Sequence, residues 1–175
     1  MAFDVALLWL NKQSDTTAVV DSLSKNHLTD LSIGELLSGN ALTLRFQDPL
    51  HDARTPMIIV GDLNIAPLET DVWSHKQLLT VVSHTPIEVA SLCKLQKAAE
   101  FVDAVRAFIP PAERLYSWWS YRAQDWALSD RGRRLDHIWV TPPLRGKLAG
   151  AEVHRAARGW QRASDHVPVI VRLDG

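Results

Sequence analysis

Three short stretches of this chain carry the residue types that phosphoester hydrolysis needs. Asp62 and Asn64 stand two apart in Gly61-Asp62-Leu63-Asn64, directly after the apolar run Met57-Ile58-Ile59-Val60. Residues two apart on a strand project from one side, and a strand end presents them on a rigid base while leaving them accessible. Such a carboxylate can take a proton from water or help hold Mg2+. The amide can donate to a phosphate oxygen without adding negative charge. Ser164-Asp165-His166 precedes a second apolar stretch, and a protonated histidine beside a phosphate stabilises developing negative charge. Arg134-Leu135-Asp136-His137 opens a third. Asp136 would be costly to bury there without a partner, and a histidine is one, since a carboxylate on one ring nitrogen fixes the tautomer. Each stretch also has a plainer account. Asp62 and Asn64 suit a turn after Gly61, Asp165 a cap beside a surface histidine, and Asp136 an ion pair with Arg133 or Arg134.

Strands and short loops must position these groups. Residues 57–60 are four apolar positions between Pro56 and Gly61, the pattern of a strand buried on both faces. The chain then turns at Ala66-Pro67. Leu92, Leu95, Ala99, Val102 and Val105 recur at helical spacing, predicting a helix over about 90–108 that Pro110-Pro111 stops. Residues 116–121, 134–140 and 167–173 read as strands. Several strands with few helices between them favour a mixed, largely antiparallel α/β architecture over a doubly wound parallel sheet. Residues 1–55 contain no chemical motif and read as a helical arm or linker. Ser14 or Asp15 could cap one helix there, and Ser32 with Glu35 has capping-box spacing for another.

The 175 residues amount to one domain, with 46% hydrophobic and 22% charged residues, as in an ordinary globular protein. A net charge of −1 conceals an asymmetry: residues 101–175 hold twelve Lys and Arg, eleven of them Arg, against eight acids. Arg binds phosphate bidentately, so the bias suits a polyanion. It is equally the mark of a solvated, Arg-rich surface. The single cysteine, Cys93, excludes an internal disulfide and a cysteine-based zinc cluster. No run approaches the ~20 apolar residues of a membrane span, and 2–10 lacks a basic leader. A soluble cytoplasmic protein is the expectation.

In order along the chain, GDLN at 61–64, SWWSYR at 117–122, RGRRLDH at 131–137 and SDHVPV at 164–169 resemble the motifs of the endonuclease/exonuclease/phosphatase superfamily. The resemblance is strongest to the bacterial exonuclease III branch of apurinic/apyrimidinic endonucleases, and it covers residues 57–175. It implies a four-layered α/β/β/α sandwich and hydrolysis of DNA at abasic sites and 3′ ends. Position by position, it implies that Asp62 activates or positions the attacking water and that Asn64 contacts the scissile phosphate. Asp136 would orient the catalytic histidine, His166, which stabilises the transition state. Asp62 and Asp165 would serve the metal site, while Trp118 and Leu135 line the sugar pocket. Arg122 and its neighbours would hold the DNA.

The departures lie before Asp62. The family's first half supplies an Asn on the first strand, a Glu from a Gln-Glu pair as principal metal ligand, and a phosphate-contacting Tyr. Residues 1–61 have no Gln-Glu pair and no Tyr, and Glu35 is their only Glu. The expectation is therefore the carboxy-terminal half of the domain, 56–175, with the amino-terminal sheet missing. Mg2+, or Mn2+ in its place, would be weakly held, and activity weak or lost. The apolar sheet face left uncovered would be shielded by residues 1–55 or by a second copy in a homodimer. The expected partner is double-stranded DNA, and no membrane. The rival readings are a non-catalytic DNA- or protein-binding fragment, a phosphodiesterase for another phosphoester, and a gene fragment without a function of its own.

Overall fold

The computed structural model describes the backbone of residues 3–7 and, in full, residues 53–98 and 100–174. The capping sites read at Ser14, Asp15 and Ser32 lie outside the described residues. The described chain mixes helices with antiparallel sheets. Strand β1 is Phe3–Leu7, β2 Ile58–Asp62, β3 Val102–Asp103, β4 Trp118–Trp119, β5 Gly132–Arg133, β6 Asp136–Val140, β7 Leu148–Val153 and β8 Val169–Leu173. One sheet has the order β1-β8-β7, a second β2-β6-β3, and β4-β5 forms a small ribbon. Helices are short (α1 His75–Leu78, α3 Trp126–Ser129, α4 Pro142–Arg145) apart from α2, Pro86–Ala98. No helix among the described residues is long and apolar enough to cross a membrane.

The two larger sheets meet face to face. Ile138 and Val140 of β6 pack with Val169, Val171 and Leu173 of β8, together with Ala104, Val105 and Leu115. Strand β8 shows the expected alternation, with Val169, Val171 and Leu173 buried and Arg172 exposed. On the other side of β6, Trp139 joins Leu92, Leu95 and Phe101 under α2. All five residues of β6 are buried.

Double burial therefore belongs to β6, and the reading of 57–60 as buried on both faces is corrected. Ile58 and Val60 are 37% and 43% exposed. They lie directly opposite Val140 and Ile138, and opposed residues of an antiparallel pair share a face. The inter-sheet surface thus continues across β2 and lies open there among the described residues. Ile59 points the other way and is covered by the α2 cluster.

One strand comes from the segment read as a helical arm. Strand β1 pairs antiparallel with β8 from Phe3↔Leu173 to Leu7↔Val169. Its Phe and Val are strand formers, in an apolar run too short to mark a helix by its period.

The predicted helix over 90–108 is shorter and starts earlier. Glu88 caps its start, its Oε2 accepting from the Ser83 and Thr85 amides and from the Thr85 hydroxyl. Its end is closed by the Phe101 amide bonding the Gln96 carbonyl, with Glu100 at φ 54. A left-handed C-terminal residue usually announces itself as glycine; here it is Glu, so the sequence carries no stop signal. Val102 then pairs with Val140 in β3, and Val105 enters the inter-sheet core. Their helical spacing from Leu95 is coincidental.

Gly132 sits under the ring of Tyr116, where any Cβ would collide with the aromatic atoms. This lets the β4-β5 ribbon lie flat on the third apolar cluster, Tyr116, Trp119, Ala157 and Val167. In urea denaturation, Ile138→Ala should cost about 2–5 kcal/mol of stability through the cavity it leaves. Val60→Thr, at the open end of the same surface, should cost less than about 1 kcal/mol.

Candidate active site

Strand β6 supplies the first group. Asp136 is 2% exposed, on the same side as Ile138 and Val140 by the two-residue period of a strand. The Ser117 hydroxyl accepts from the amides of Leu135 and Asp136 at 3.0 and 3.1 Å, fixing the entry to the strand. Asp136 Oδ2 lies 2.8 Å from His166 Nδ1. A carboxylate only accepts, so Nδ1 carries the proton. Of the two partners open to Asp136, histidine is the one found. Arg134 turns instead to Asp103, with contacts of 2.6 and 2.8 Å, and Arg133 Nη1 donates to Val82 O and Ser83 Oγ.

His166 is carried into β8 by the loop that bridges Trp118. Its second nitrogen, Nε2, lies 3.7 Å from Asp62 Oδ2. Asp62 ends β2, opposite Asp136 in the register, and its Oδ1 accepts from the Asn64 amide at 3.0 Å. Asn64 is exposed and left-handed, with φ 55. Burial works against a charge on His166. It is outweighed by the hydrogen bond and charge of Asp136 and by the charges of Asp62 and Asp165, so the ring's pKa is raised. Three carboxylates around the ring thus favour its charged form.

Asp165 Oδ2 accepts the indole hydrogen of Trp118 at 3.0 Å. Trp118 connects the centre to a cleft of about 470 Å3 lined by Trp73, Trp118, Ser120, Arg122, Arg131 and Arg133. Arg131 lies over the Trp73 ring at 4.7 Å and Arg133 over Trp118 at 5.4 Å. Asp62, Asn64, Asp136, Asp165 and His166 are thus brought together, with Trp118 and Arg122 beside them. Leu135 is buried, 5% exposed, and is not among the residues lining this cleft. Its carbonyl accepts from the Leu63 amide at 2.9 Å, holding the Asp62 loop to β6.

Sequence reasoning missed Trp73, Ser117, His84 and His137. Trp73 stands alone in a polar stretch, and a serine before two tryptophans gives no sign that its hydroxyl will hold two amides. His137 is 1% exposed, and burial with the charge of Arg134 pushes its pKa down to about 3. It is a neutral ring inside the protein, and nothing in the sequence around it assigns it a role.

The donor chemistry fits a hard cation. Asp62 and Asp165 offer carboxylate oxygens near one imidazole, and Mg2+ keeps several waters, so few protein ligands suffice. Among the described residues no group of three His, Cys, Asp or Glu is placed to hold a metal ion.

This arrangement has counterparts. The Endonuclease/Exonuclease/phosphatase family matches residues 7–166, beginning 54 residues before the first of the four motifs at Gly61. The chain belongs to that family. An exodeoxyribonuclease of Bacillus subtilis is 34% identical over 120 residues, covering 67% of this chain and 44% of that protein. An exodeoxyribonuclease III of Haemophilus influenzae is 30% identical over 125 residues, covering 68% and 46%. The chain spans about half the length of the relatives it matches. Among solved structures, an AP endonuclease from Archaeoglobus fulgidus superposes with a TM-score of 0.72 at 27% identity, over 82% of this chain and 56% of that one. A 3′-5′ exonuclease from Neisseria meningitidis gives 0.70 at 27% identity, over 78% and 52%. The fold is the α/β fold of these nucleases, in part.

A titration follows from the geometry. In an NMR pH series the His166 imidazole should titrate above the ordinary value of 6.5, and Asp136→Asn should bring it down. Because the folded pKa is raised, the stability this ring contributes is complete below 6.5 and is lost as pH rises through the folded midpoint. A wild-type midpoint at or below 6.5 would refute the charged centre.

Proposed function

We propose that this chain carries the hydrolytic centre of a metal-dependent DNA phosphodiesterase of the exonuclease III type, acting at abasic sites or 3′ ends. The observation that carries the reading is the His166 ring held between Asp136 at 2.8 Å and Asp62 at 3.7 Å, beside a cleft of arginines and tryptophans. Protonated His166 stabilises the charge that builds on the phosphate oxygens, and Asp136 keeps it protonated and aimed. Asp62 takes a proton from the attacking water, while the Asn64 amide donates to the phosphate. Asp62 and Asp165 would hold Mg2+ or Mn2+, which would supply charge neutralisation at the phosphate. The described residues offer that ion two carboxylates, so weak metal binding and low turnover are part of the proposal.

In the cleft, Arg122, Arg131 and Arg133 bind the DNA backbone and Trp118 faces the sugar beside the scissile bond. A guanidinium stacked on an indole, as Arg131 is on Trp73, keeps its edge hydrogens free to bind phosphate. Of two similar structures, one is an AP endonuclease and the other a Neisseria 3′ phosphatase bound to a product DNA hairpin, which supports DNA over another phosphoester.

The test is incision of a duplex bearing one abasic-site analogue, with Mg2+ or EDTA. Mg2+-dependent incision should fall by about 10²–10⁴-fold in His166→Ala. Absence of incision by folded protein that still binds the duplex would favour the second reading, a non-catalytic DNA-binding module. The two-carboxylate metal set is the observation on its side.

Binding has its own signature. Arg131→Gln should weaken affinity for all duplex sequences alike and reduce the slope of log K against log salt by about 0.9, one phosphate contact. An unchanged slope would remove Arg131 from the DNA interface.

A further inference from the structure

Two buried histidines outside the reacting groups grip consecutive carbonyls directly after Asn64. His137 Nε2 lies 2.8 Å from Ile65 O, and His84 Nδ1 lies 2.6 Å from Ala66 O. The rings are 1% and 3% exposed. A carbonyl only accepts, so each ring must be protonated at the nitrogen facing it. His137 is thereby the Nε2–H tautomer and its Nδ1, which has no hydrogen-bond partner, carries no proton in the neutral ring. His84 is protonated at Nδ1. Its Nε2 lies 2.8 Å from His75 Nδ1, and the outer nitrogen of His75 lies 3.6 Å from Glu69.

The clamped segment is short. The Leu63 amide bonds Leu135 O at 2.9 Å and the Ala66 amide bonds Ser83 O at 2.7 Å, bracketing Asn64 from both sides. Between these bonds Asn64 adopts φ 55. Asparagine is among the few non-glycine residues that enter that region, and the bonds on either side hold it there. Were either histidine an apolar core residue, a carbonyl facing it would be left without its donor, and the loop would lose one of its constraints.

We propose that His137 and His84 are positioning residues, whose donated hydrogen bonds to Ile65 and Ala66 fix the left-handed turn that presents Asp62 and Asn64 to the substrate. The inference rests on the phosphodiesterase reading for its effect on turnover, but not for its effect on the loop. Adjacent β6 residues then serve one site from opposite faces. Asp136 holds His166 on one side, and His137 holds the Asn64 loop on the other. His84 does the same work from the segment before α2, reinforced by His75.

Four variants of the whole chain separate the hydrogen bond from ring packing. His137→Gln places an amide near Nε2, and His84→Asn places one near Nδ1; His137→Leu and His84→Leu remove the donors. In each, turnover at saturating abasic-site duplex, KM, and amide exchange at Leu63 and Asn64 relative to β6 amides are measured. The leucine variants should lose turnover of order 10²-fold with KM little changed and exchange faster at Leu63 and Asn64 than the β6 amides account for. The amide variants should recover most of both. Wild-type turnover and loop protection in the leucine variants would overturn the proposal. So would folded Gln and Asn variants whose loop exchanges as fast as that of the leucine forms. If the leucine variants do not fold, this second outcome decides alone. If the wild type shows no incision, the phosphodiesterase reading fails and the exchange measurements still decide the role of the two rings.

Discussion

The whole arrangement hangs on one strand with no solvent-facing side. Strand β6 is buried at every position, so the period of two that normally separates core from surface here separates two interiors. Ile138 and Val140 fill the space between the sheets, and Trp139 seals the layer under α2. The same alternation forces Asp136 and His137 apart. Each is a polar group that burial would penalise unless it found a partner, and each finds one on a segment of the candidate site. Asp136 finds His166, and His137 finds the carbonyl after Asn64. Burial cost thus acts as a constraint that makes the strand gather the site around itself.

A second buried ionic group keeps the first from being short-circuited. Asp71 is 0% exposed and bonded to Arg106, while Arg134 pairs with Asp103 at 2.6 Å. Burial raises the Asp71 pKa despite the opposing charges of Arg134 and Arg106. With Arg134 committed there, a guanidinium two residues from Asp136 does not neutralise it. The negative charge of Asp136 is left to act on the imidazole. Separation of the two networks leaves the Asp136 charge to favour the charged form of His166.

Much of this was legible from residue types. Asp62, Asn64, Asp136, Asp165 and His166 are polar groups at the ends of apolar runs, and the structure brings them together. Strands β6 and β8 follow from their valines, isoleucine and alternation. What could not be read has physical reasons. Strand β7 is made of Leu, Ala, Gly, Ala, Glu and Val, weak strand formers that β8 recruits by pairing. The end of α2 is set by a glutamate in a glycine-like conformation. The exposure of Ile58 and Val60 depends on what stands opposite them, which local sequence does not record. His84 and His137 could be assigned only once the carbonyls they bind were in place.

Gly132 leaves a limit on the cleft. It lies between Arg131 and Arg133, and the Tyr116 ring closes the space above it. No side chain of any kind fits there, and one at 132 would point into the Tyr116 and Trp119 cluster rather than into the cleft. A tighter grip on a polyanion cannot be evolved by adding a fourth arginine between the two. It would have to come from the exposed rim around Arg122, where a longer reach costs no packing. The strand between Arg131 and Arg133 is thus fixed by packing, and room for change in the cleft lies at its edge.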